Sequence, residues 1–297
     1  MGQMQIVYHL GAHCTDEGAI LRVLLRNRPT LLEQGTAVPD PDRYPALLRS
    51  AAAAFAGRKA EPGHADSLMD ALLPDAAEDA AERLVLSFEG FLAFPRDAVT
   101  ATQVYPAAAA RARGLASLFS QDAVEFHLAI RNPATWLPAL SARRRAKGQD
   151  PLPDGFDASA LRWSELVGRL RAACPGAALT VWCDEDSPVM WHRILRAIAG
   201  HAEATELAGA LALPASLMDE GGAGRLSAWL AEVRPATDTA RTEGIRALLD
   251  QFARPDRLES VIDLPGWTAD TVSRLTDAYD TDCTRIAAME GVRFLTP

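Results

Sequence analysis

Four short apolar segments, rich in β-branched or aromatic residues, alternate along the chain with alanine-rich amphipathic stretches. Such segments are typical of strands buried on both faces, as in a parallel sheet. Because strands that alternate with helices build layered folds, the pattern predicts a three-layer α/β/α sandwich with a mainly parallel central sheet. The predicted strands are residues 4–10, 83–88, 125–131 and 179–183.

One predicted helix follows the third of these strands. Asn132 before Pro133 indicates a helix start, because asparagine caps a first turn and proline fits its first position. The helix should run toward Lys147. Pro138 falls inside it, so we expect a kink or a later start there.

The last third of the chain is predicted to be mainly helical. From residue 187 onward no segment has a convincing strand pattern, and residues 219–224 are predicted as a loop between helices. No repeat and no linker composition divides the 297 residues. We therefore predict a single domain, with an α/β core in residues 1–200 and a helical part in residues 201–297.

The charge of the chain limits its partners. A formal net charge of −9 disfavours a general nucleic-acid binder, because no basic field is present to attract phosphates. Of the 30 basic residues only Lys59 and Lys147 are lysine, so a lysine-dependent mechanism has two candidates. No apolar run reaches about 18 residues, and the first residues lack a signal-peptide pattern. We therefore expect a cytoplasmic protein that does not enter a membrane.

Polar residues gather where the predicted strands end. Parallel strands end at one edge of a sheet, and open α/β sheets bind ligands just beyond that edge. The sequence therefore predicts a ligand site at this edge. The four strand exits are residues 9–18, 87–90, 131–132 and 183–188.

The first strand exit has the layout of a phosphate-binding loop, with a tight turn at Gly11 and then a helix start. We expect Thr15 to cap that helix and Asp16 and Glu17 to lie in its first turn. These carboxylates would place negative charge at the helix N-terminus, whose positive field otherwise attracts a phosphate. No lysine precedes residue 59, so the usual P-loop pattern is absent.

Four segments of the chain resemble bacterial sulfotransferase-domain proteins. The opening YHLGAHCTDEGAILRVLLRNRPTLLEQG, followed by VPDPDRY, is similar to the family's first strand and its H-x-G-x-x-K-T-G-T-[TS] loop. LVLSFEGF is similar to the second strand, and VEFHLAIRNPATWLPALSARRRAKG to the strand that carries a phosphate-binding arginine. The end, LPGWTADTVSRLTDAYDTDCTRIAAMEGVRFL, resembles the C-terminal segment. The resemblance implies a P-loop, sulfotransferase-like fold.

The same resemblance implies a cofactor, PAPS, whose 5′-phosphosulfate lies on the first loop and whose 3′-phosphate meets an arginine. The matching loop positions here are Gly11, Cys14, Thr15 and Gly18, and the arginine corresponds to Arg131.

This sequence departs from the family pattern at both phosphate positions. Cys14 stands where the family has lysine, and Asp16, Glu17 and Gly18 stand where it has Gly, Thr and Thr or Ser. The serine that follows the arginine corresponds to Ala139, with Ser141 two places beyond. The 5′ cradle has thus lost a cation and gained two anions, which would weaken the binding of PAPS or its product PAP.

The first functional hypothesis is a sulfotransferase-family protein with an eroded PAPS loop, acting on a small-molecule substrate if it is an enzyme. Glu89 would be the general base for an acceptor hydroxyl, with its pKa raised by partial burial. Arg131 would hold a phosphate, and His9 or His13 would hydrogen-bond the transferring group.

Two alternatives stay open. In one, the chain is a non-catalytic descendant of the fold that binds a ligand or partner, and Asp16 and Glu17 satisfy the helix start internally. In the other, two neighbouring strand exits hold a metal. The candidate ligands are His9, His13, Cys14, Cys183, Asp184 and Glu185.

Other features are assigned structural roles. Arg143, Arg144 and Arg145, with Lys147, are predicted to form a solvated face near a helix end. His127 is predicted to be a core histidine, and the tryptophans to be packing residues.

Overall fold

Six parallel strands form the central sheet of this computed structural model, in the order β2-β3-β1-β4-β5-β6. The structure describes residues 3–55, 58, 62–73, 77, 80–153, 155–258, 262 and 264–297. Lys59 therefore lies outside the described residues. The strands are β1 Gln5–His9, β2 Thr36–Ala37, β3 Arg83–Ser87, β4 Ala123–Ile130, β5 Ala178–Cys183 and β6 Val292–Leu295.

Helices cover both faces of the sheet, so the predicted three-layer α/β/α sandwich is confirmed. They are α1 Ala19–Arg26, α2 Arg28–Leu32, α3 Tyr44–Phe55, α4 Pro62–Leu72, α5 Ala108–Leu118, α6 Pro133–Ala146, α7 Trp163–Ala173, α8 Ser187–Ala199, α9 Ala212–Ser216, α10 Glu220–Val233, α11 Asp238–Phe252, α12 Pro255–Leu258 and α13 Ala269–Ala287.

Alternate residues of each strand face opposite layers. Ile6 and Tyr8 of β1 point into the larger core, which α3 to α7 and α13 cover. Val7 points into the second core, where α1 and α8 cover the sheet. Trp163 lies in the larger core and Trp182 in the second, and both are buried, as the packing prediction required.

The four predicted strands are present, with ends that differ by one or two residues. The expectation of no strand after residue 187 is wrong, because β6 pairs with β5 in parallel. β6 has only four residues, and Arg293 interrupts its apolar character. A polar and apolar alternation that short gives little signal of a buried strand.

The helix after β4 begins where the sequence predicted it. The Asn132 side chain accepts a hydrogen bond from the Ala134 N–H at 2.9 Å. The helix starts at Pro133 and continues through Pro138 to Ala146, so the later start is wrong.

The C-terminal part is mainly helical, and α10 and α11 bury a small apolar cluster of their own around Leu226 and Ile245. The loop predicted at residues 219–224 is wrong. Asp219 caps α10 instead, since its carboxylate accepts a hydrogen bond from the Gly222 N–H at 2.7 Å. In the described ranges, no helix is long and apolar enough to cross a membrane.

Candidate functional site

The loop between β1 and α1 lies at the carboxyl edge of the sheet and curls tightly. Positive φ angles occur at Gly11 (52°), Cys14 (62°), Glu17 (48°) and Gly18 (74°). Glycine adopts this conformation freely, whereas it costs a side-chain-bearing residue about 1–2 kcal/mol. The loop is therefore held in shape by contacts with its surroundings.

The N-cap residue of α1 is Gly18, and the side chain that accepts a hydrogen bond from the first turn is that of Asp16 rather than Thr15. The Asp16 carboxylate accepts a hydrogen bond from the Ile20 N–H at 2.9 Å, whereas the Thr15 hydroxyl donates to the Ala12 carbonyl at 2.8 Å. The predicted Thr15 cap is wrong because the left-handed residues Glu17 and Gly18 delay the helix to Ala19. Asp16 and Glu17 thus precede the helix, and one of the loop's two acids accepts a hydrogen bond from its first turn.

His13 is a buried residue of this loop, and its two ring nitrogens have different surroundings. The Tyr105 hydroxyl accepts a hydrogen bond from the His13 N–H at 2.9 Å and lies 2.7 Å from Nδ1. Since this hydroxyl has one proton and Nδ1 is the acceptor within its reach, we assign the proton of the ring to Nε2. Nε2 meets no hydrogen-bond partner among the described residues. Burial lowers the pKa of His13 to about 4, so the ring is a neutral hydrogen-bond donor near pH 7.

His9 lies under the loop. Its Nδ1 is 2.8 Å from the Ser87 hydroxyl, and its Nε2 has no partner within the described part of the chain. A Cβ placed on Gly11 would stand 3.8 Å from this Nε2 and 3.6 Å from the Thr15 hydroxyl. The ring nitrogen therefore faces the inner side of the loop.

Arg143 holds two carboxylates at the mouth of this site. Its Nη1 donates to the Glu89 carboxylate (2.6 and 2.8 Å), and its Nη2 donates to the Glu17 carboxylate (2.6 and 2.7 Å). The Arg143 side chain is 19% exposed, against 62% for Glu17 and 45% for Glu89. The prediction of a solvated face is wrong for Arg143, and also for Arg144, which is buried.

Arg131 supports the loop through a hydrogen bond to its backbone. Its Nη1 donates to the Cys14 carbonyl at 2.6 Å, and its Nε donates to the Thr135 hydroxyl at 3.0 Å. Ser141, the other predicted phosphate contact, is fully buried, and its hydroxyl accepts a hydrogen bond from Arg145. The structure thus brings Arg131 to the loop and leaves Ser141 without solvent access.

Cys14 is buried at the centre of the loop. Burial raises the pKa of its thiol to about 11. The thiolate that nucleophilic chemistry requires is therefore scarce near neutral pH.

A cavity of about 680 Å³ opens on the other side of the loop, between α1, α8 and α9. Asp16, Glu17 and Asp184 lie at its loop end, and Val23 and Trp191 are among its apolar walls. Burial raises the pKa of Asp184 to about 7, and the neighbouring carboxylates add to the shift while Arg131 opposes it. The cavity has the size of a small-molecule site.

The metal alternative gains no support from this geometry. Among the described residues, no group of three or more His, Cys, Asp or Glu side chains is placed to hold a metal ion. Cys183 instead lies 3.5 Å from Cys283, sulfur to sulfur.

Two residues of the site were not predicted to belong to it. Arg143 follows Arg131 by twelve positions on α6 and has no motif of its own, and Tyr105 lies in an irregular segment before α5. Only the packing of α6 and of that segment against the loop reveals them. The chain matches no family model, no curated protein and no solved structure.

Proposed function

We propose that this protein binds a ligand with a sulfo or phospho group at the β1–α1 loop, as its resemblance to sulfotransferases implies, and that Glu17 occupies this place in the free protein. One observation carries the proposal: each terminal nitrogen of Arg143 donates to both oxygens of one exposed carboxylate, Nη1 to Glu89 and Nη2 to Glu17. The same N–H groups can form charge-assisted hydrogen bonds with the oxygens of a sulfo or phospho group. Arg143 then supplies the cation that Cys14 cannot.

Glu17 is suited to leave Arg143 when a ligand arrives. Its side chain is the more exposed of the two carboxylates, and its backbone is left-handed. An exposed ion pair contributes about 0–1 kcal/mol, so its loss costs little. The departure of Glu17 frees Nη2 of Arg143 for a ligand oxygen.

His13 adds a second donor for such a ligand. Its Nε2–H is buried and meets no acceptor in the described part of the chain, and Glu89, Arg143 and Lys147 lie close enough to act on its pKa. A neutral N–H donor of this kind can hydrogen-bond the oxygens of a sulfo group while the imidazole ring stays uncharged. This supports the role that the sequence assigned to His9 or His13.

The reaction that fits this arrangement is transfer of a sulfo group to a hydroxyl. PAPS supplies the sulfo group in that chemistry, and Arg143 and His13 are the residues that would contact it. Glu89 would accept the proton of the hydroxyl once its ion pair with Arg143 has opened. The acids of the loop oppose the cofactor, since one carboxylate about 5 Å from a phosphate charge costs roughly 3 kcal/mol at an effective dielectric of about 20.

Calorimetry with adenosine 3′,5′-bisphosphate tests the binding proposal. We expect Glu17→Gln to bind this nucleotide at least about tenfold more tightly than the wild type, because one repulsive charge is gone and Nη2 of Arg143 is released from a carboxylate. Glu232→Gln, which changes an exposed carboxylate of α10, should bind like the wild type.

The double variant Glu17→Gln with Arg143→Ala locates the effect. It should lose the gained affinity. Equal binding by wild type and Glu17→Gln, or a gain that persists without Arg143, would overturn the proposal.

A second candidate is a binding protein without transfer activity. It is favoured by the engagement of Glu89, whose two carboxylate oxygens both accept hydrogen bonds from Arg143. If Glu17→Gln binds the nucleotide but transfers no labelled sulfo group from PAPS to any of a panel of alcohols and phenols, this second function holds.

A further inference from the structure

The opposite edge of the sheet contains a separate cavity of about 630 Å³. It lies below the C-terminal half of α8, at the amino ends of β3, β5 and β6, and reaches His127 in the middle of β4. Four arginines, Arg83, Arg193, Arg196 and Arg293, are among the residues that line it. Nothing in the proposed function uses this place.

The sheet register gathers polar side chains on this wall. Arg293 pairs with Thr180, and Thr180 pairs with His127, so the three lie in one row across β6, β5 and β4. Partners in a parallel register point to the same face. The row lies on the face that α8 covers, and all three residues line the cavity.

The cavity carries an excess of positive charge. Arg83 pairs with Glu125 at 2.8 Å, and Arg196 pairs with Asp238, so both carboxylates of the lining are neutralised. Arg83 is further bound to the carbonyls of α8.

Two arginines of the lining have no carboxylate partner among the described residues. Arg193 donates one hydrogen bond to the Thr296 carbonyl, and Arg293 is exposed and meets no acceptor in the described ranges. Two unneutralised guanidinium groups therefore face this cavity.

His127 supplies a hydrogen-bond acceptor at the buried wall. It is 2% exposed, and its Nε2 lies 3.2 Å from the Glu125 carboxylate. An ionised carboxylate only accepts, so Nε2 carries the ring proton. Nδ1 is then a lone-pair acceptor, and it has no partner among the described residues. Burial lowers the pKa of His127, and the nearby arginines Arg83 and Arg293 add to this shift while the Glu125 carboxylate opposes it.

We propose that this cavity binds a small hydroxylated phosphate ester, with its phosphate on Arg193 and Arg293 and a hydroxyl donating to Nδ1 of His127. Two unneutralised arginines match the charge of a phosphate monoester dianion. The volume exceeds the need of a phosphate ion alone and fits a ligand of sugar-phosphate size. A neutral Nδ1 selects ligands that donate a hydrogen bond, which a simple anion such as sulfate cannot do.

Calorimetry on the full chain with ribose 5-phosphate tests the site. We expect saturable binding with a Kd below about 1 mM. Arg293→Ala, a change at an exposed side chain, should weaken binding at least about tenfold. Arg96→Ala serves as the matched control, because Arg96 is an exposed arginine that does not line this cavity, and it should leave binding unchanged.

A pair of ligands tests the role of His127. Glycerol 3-phosphate and propyl phosphate carry the same charge, but only the first has hydroxyl donors. The wild type should bind glycerol 3-phosphate at least about fivefold more tightly, and His127→Phe should lose this preference. Absence of ribose 5-phosphate binding at 10-fold above that expected Kd, equal binding by Arg293→Ala, or equal binding of the two glycerol-sized ligands overturns the proposal.

Discussion

The two edges of the sheet use the same residue types to opposite effect. At the carboxyl edge, both terminal nitrogens of Arg143 are occupied by carboxylates of the chain itself. At the amino edge, Arg193 and Arg293 have no carboxylate partner among the described residues. An anion must therefore displace a side chain at the first edge, whereas it meets available charge at the second.

The buried histidines His13 and His127 also differ, in the hydrogen-bonding group that each has available. His13 receives a hydroxyl proton at Nδ1 and so presents an N–H, whereas His127 donates from Nε2 to a carboxylate and so presents a lone pair. The partner of one ring nitrogen decides what the other nitrogen can recognise. His13 thus presents a hydrogen-bond donor and His127 an acceptor.

The largest expected effect comes from breaking one ion pair at each edge. Glu125→Ala leaves the mostly buried Arg83 without its carboxylate, and removing one partner of a buried pair costs about 3–5 kcal/mol. Glu89→Ala breaks an exposed pair and should cost about 1 kcal/mol or less. Urea denaturation of the two variants measures the difference. Equal losses in the free energy of unfolding would contradict the difference in burial between the two ion pairs.

A pH titration should show a smaller effect. The pKa of His13 is about 4 in the folded protein and near 6.5 in the unfolded chain, so the unfolded state binds the proton first. Stability is present above pH 6.5 and falls as the pH drops toward 4, by about 2–3 kcal/mol from this residue. Urea midpoints between pH 7 and 4 for wild type and His13→Phe measure this. The variant should lose less stability, and an equal slope would contradict the assignment.

The smallest effect concerns the hydroxyl that sets the His13 ring. Tyr105→Phe removes both the acceptor of the His13 N–H and the donor to Nδ1, which should cost about 1–3 kcal/mol. Tyr8→Phe is the matched control, because its buried hydroxyl makes a single hydrogen bond to the Leu115 carbonyl. It should cost about 1 kcal/mol. Thermal unfolding measures both variants. If Tyr8→Phe is more destabilised than Tyr105→Phe, the Tyr105 hydroxyl does not make both hydrogen bonds to His13.

The main features of the fold could be predicted because they depend on local patterns. Continuous apolar segments located β1, β3, β4 and β5, and Asn132 with Pro133 located the start of α6. The strand ends then indicated which residues gather at the carboxyl edge. The sheet register itself is sufficient to bring His9 and Ser87 together at that edge.

The remaining features depend on packing between distant segments. Arg143 reaches the loop only because α6 crosses above it, and Asp16 rather than Thr15 accepts a hydrogen bond from the first turn of α1 only because two left-handed residues delay this helix. The amino-edge cavity needs Arg293, which belongs to the strand that the sequence did not reveal. No short stretch of the sequence predicts these contacts between distant segments.

The pairing of β6 with β5 also bears on the order in which the molecule is assembled. The whole helical segment from α8 to α13 lies between these two strands in the sequence. Contacts that close so long a stretch of chain lose much conformational entropy and are slow to form. The β1–α1 loop, in contrast, needs β6 for none of its described contacts. The loop can therefore form before β6 has paired with β5 and placed Arg293. A phosphate ester that binds at the amino edge would then stabilise only molecules in which β6 has paired.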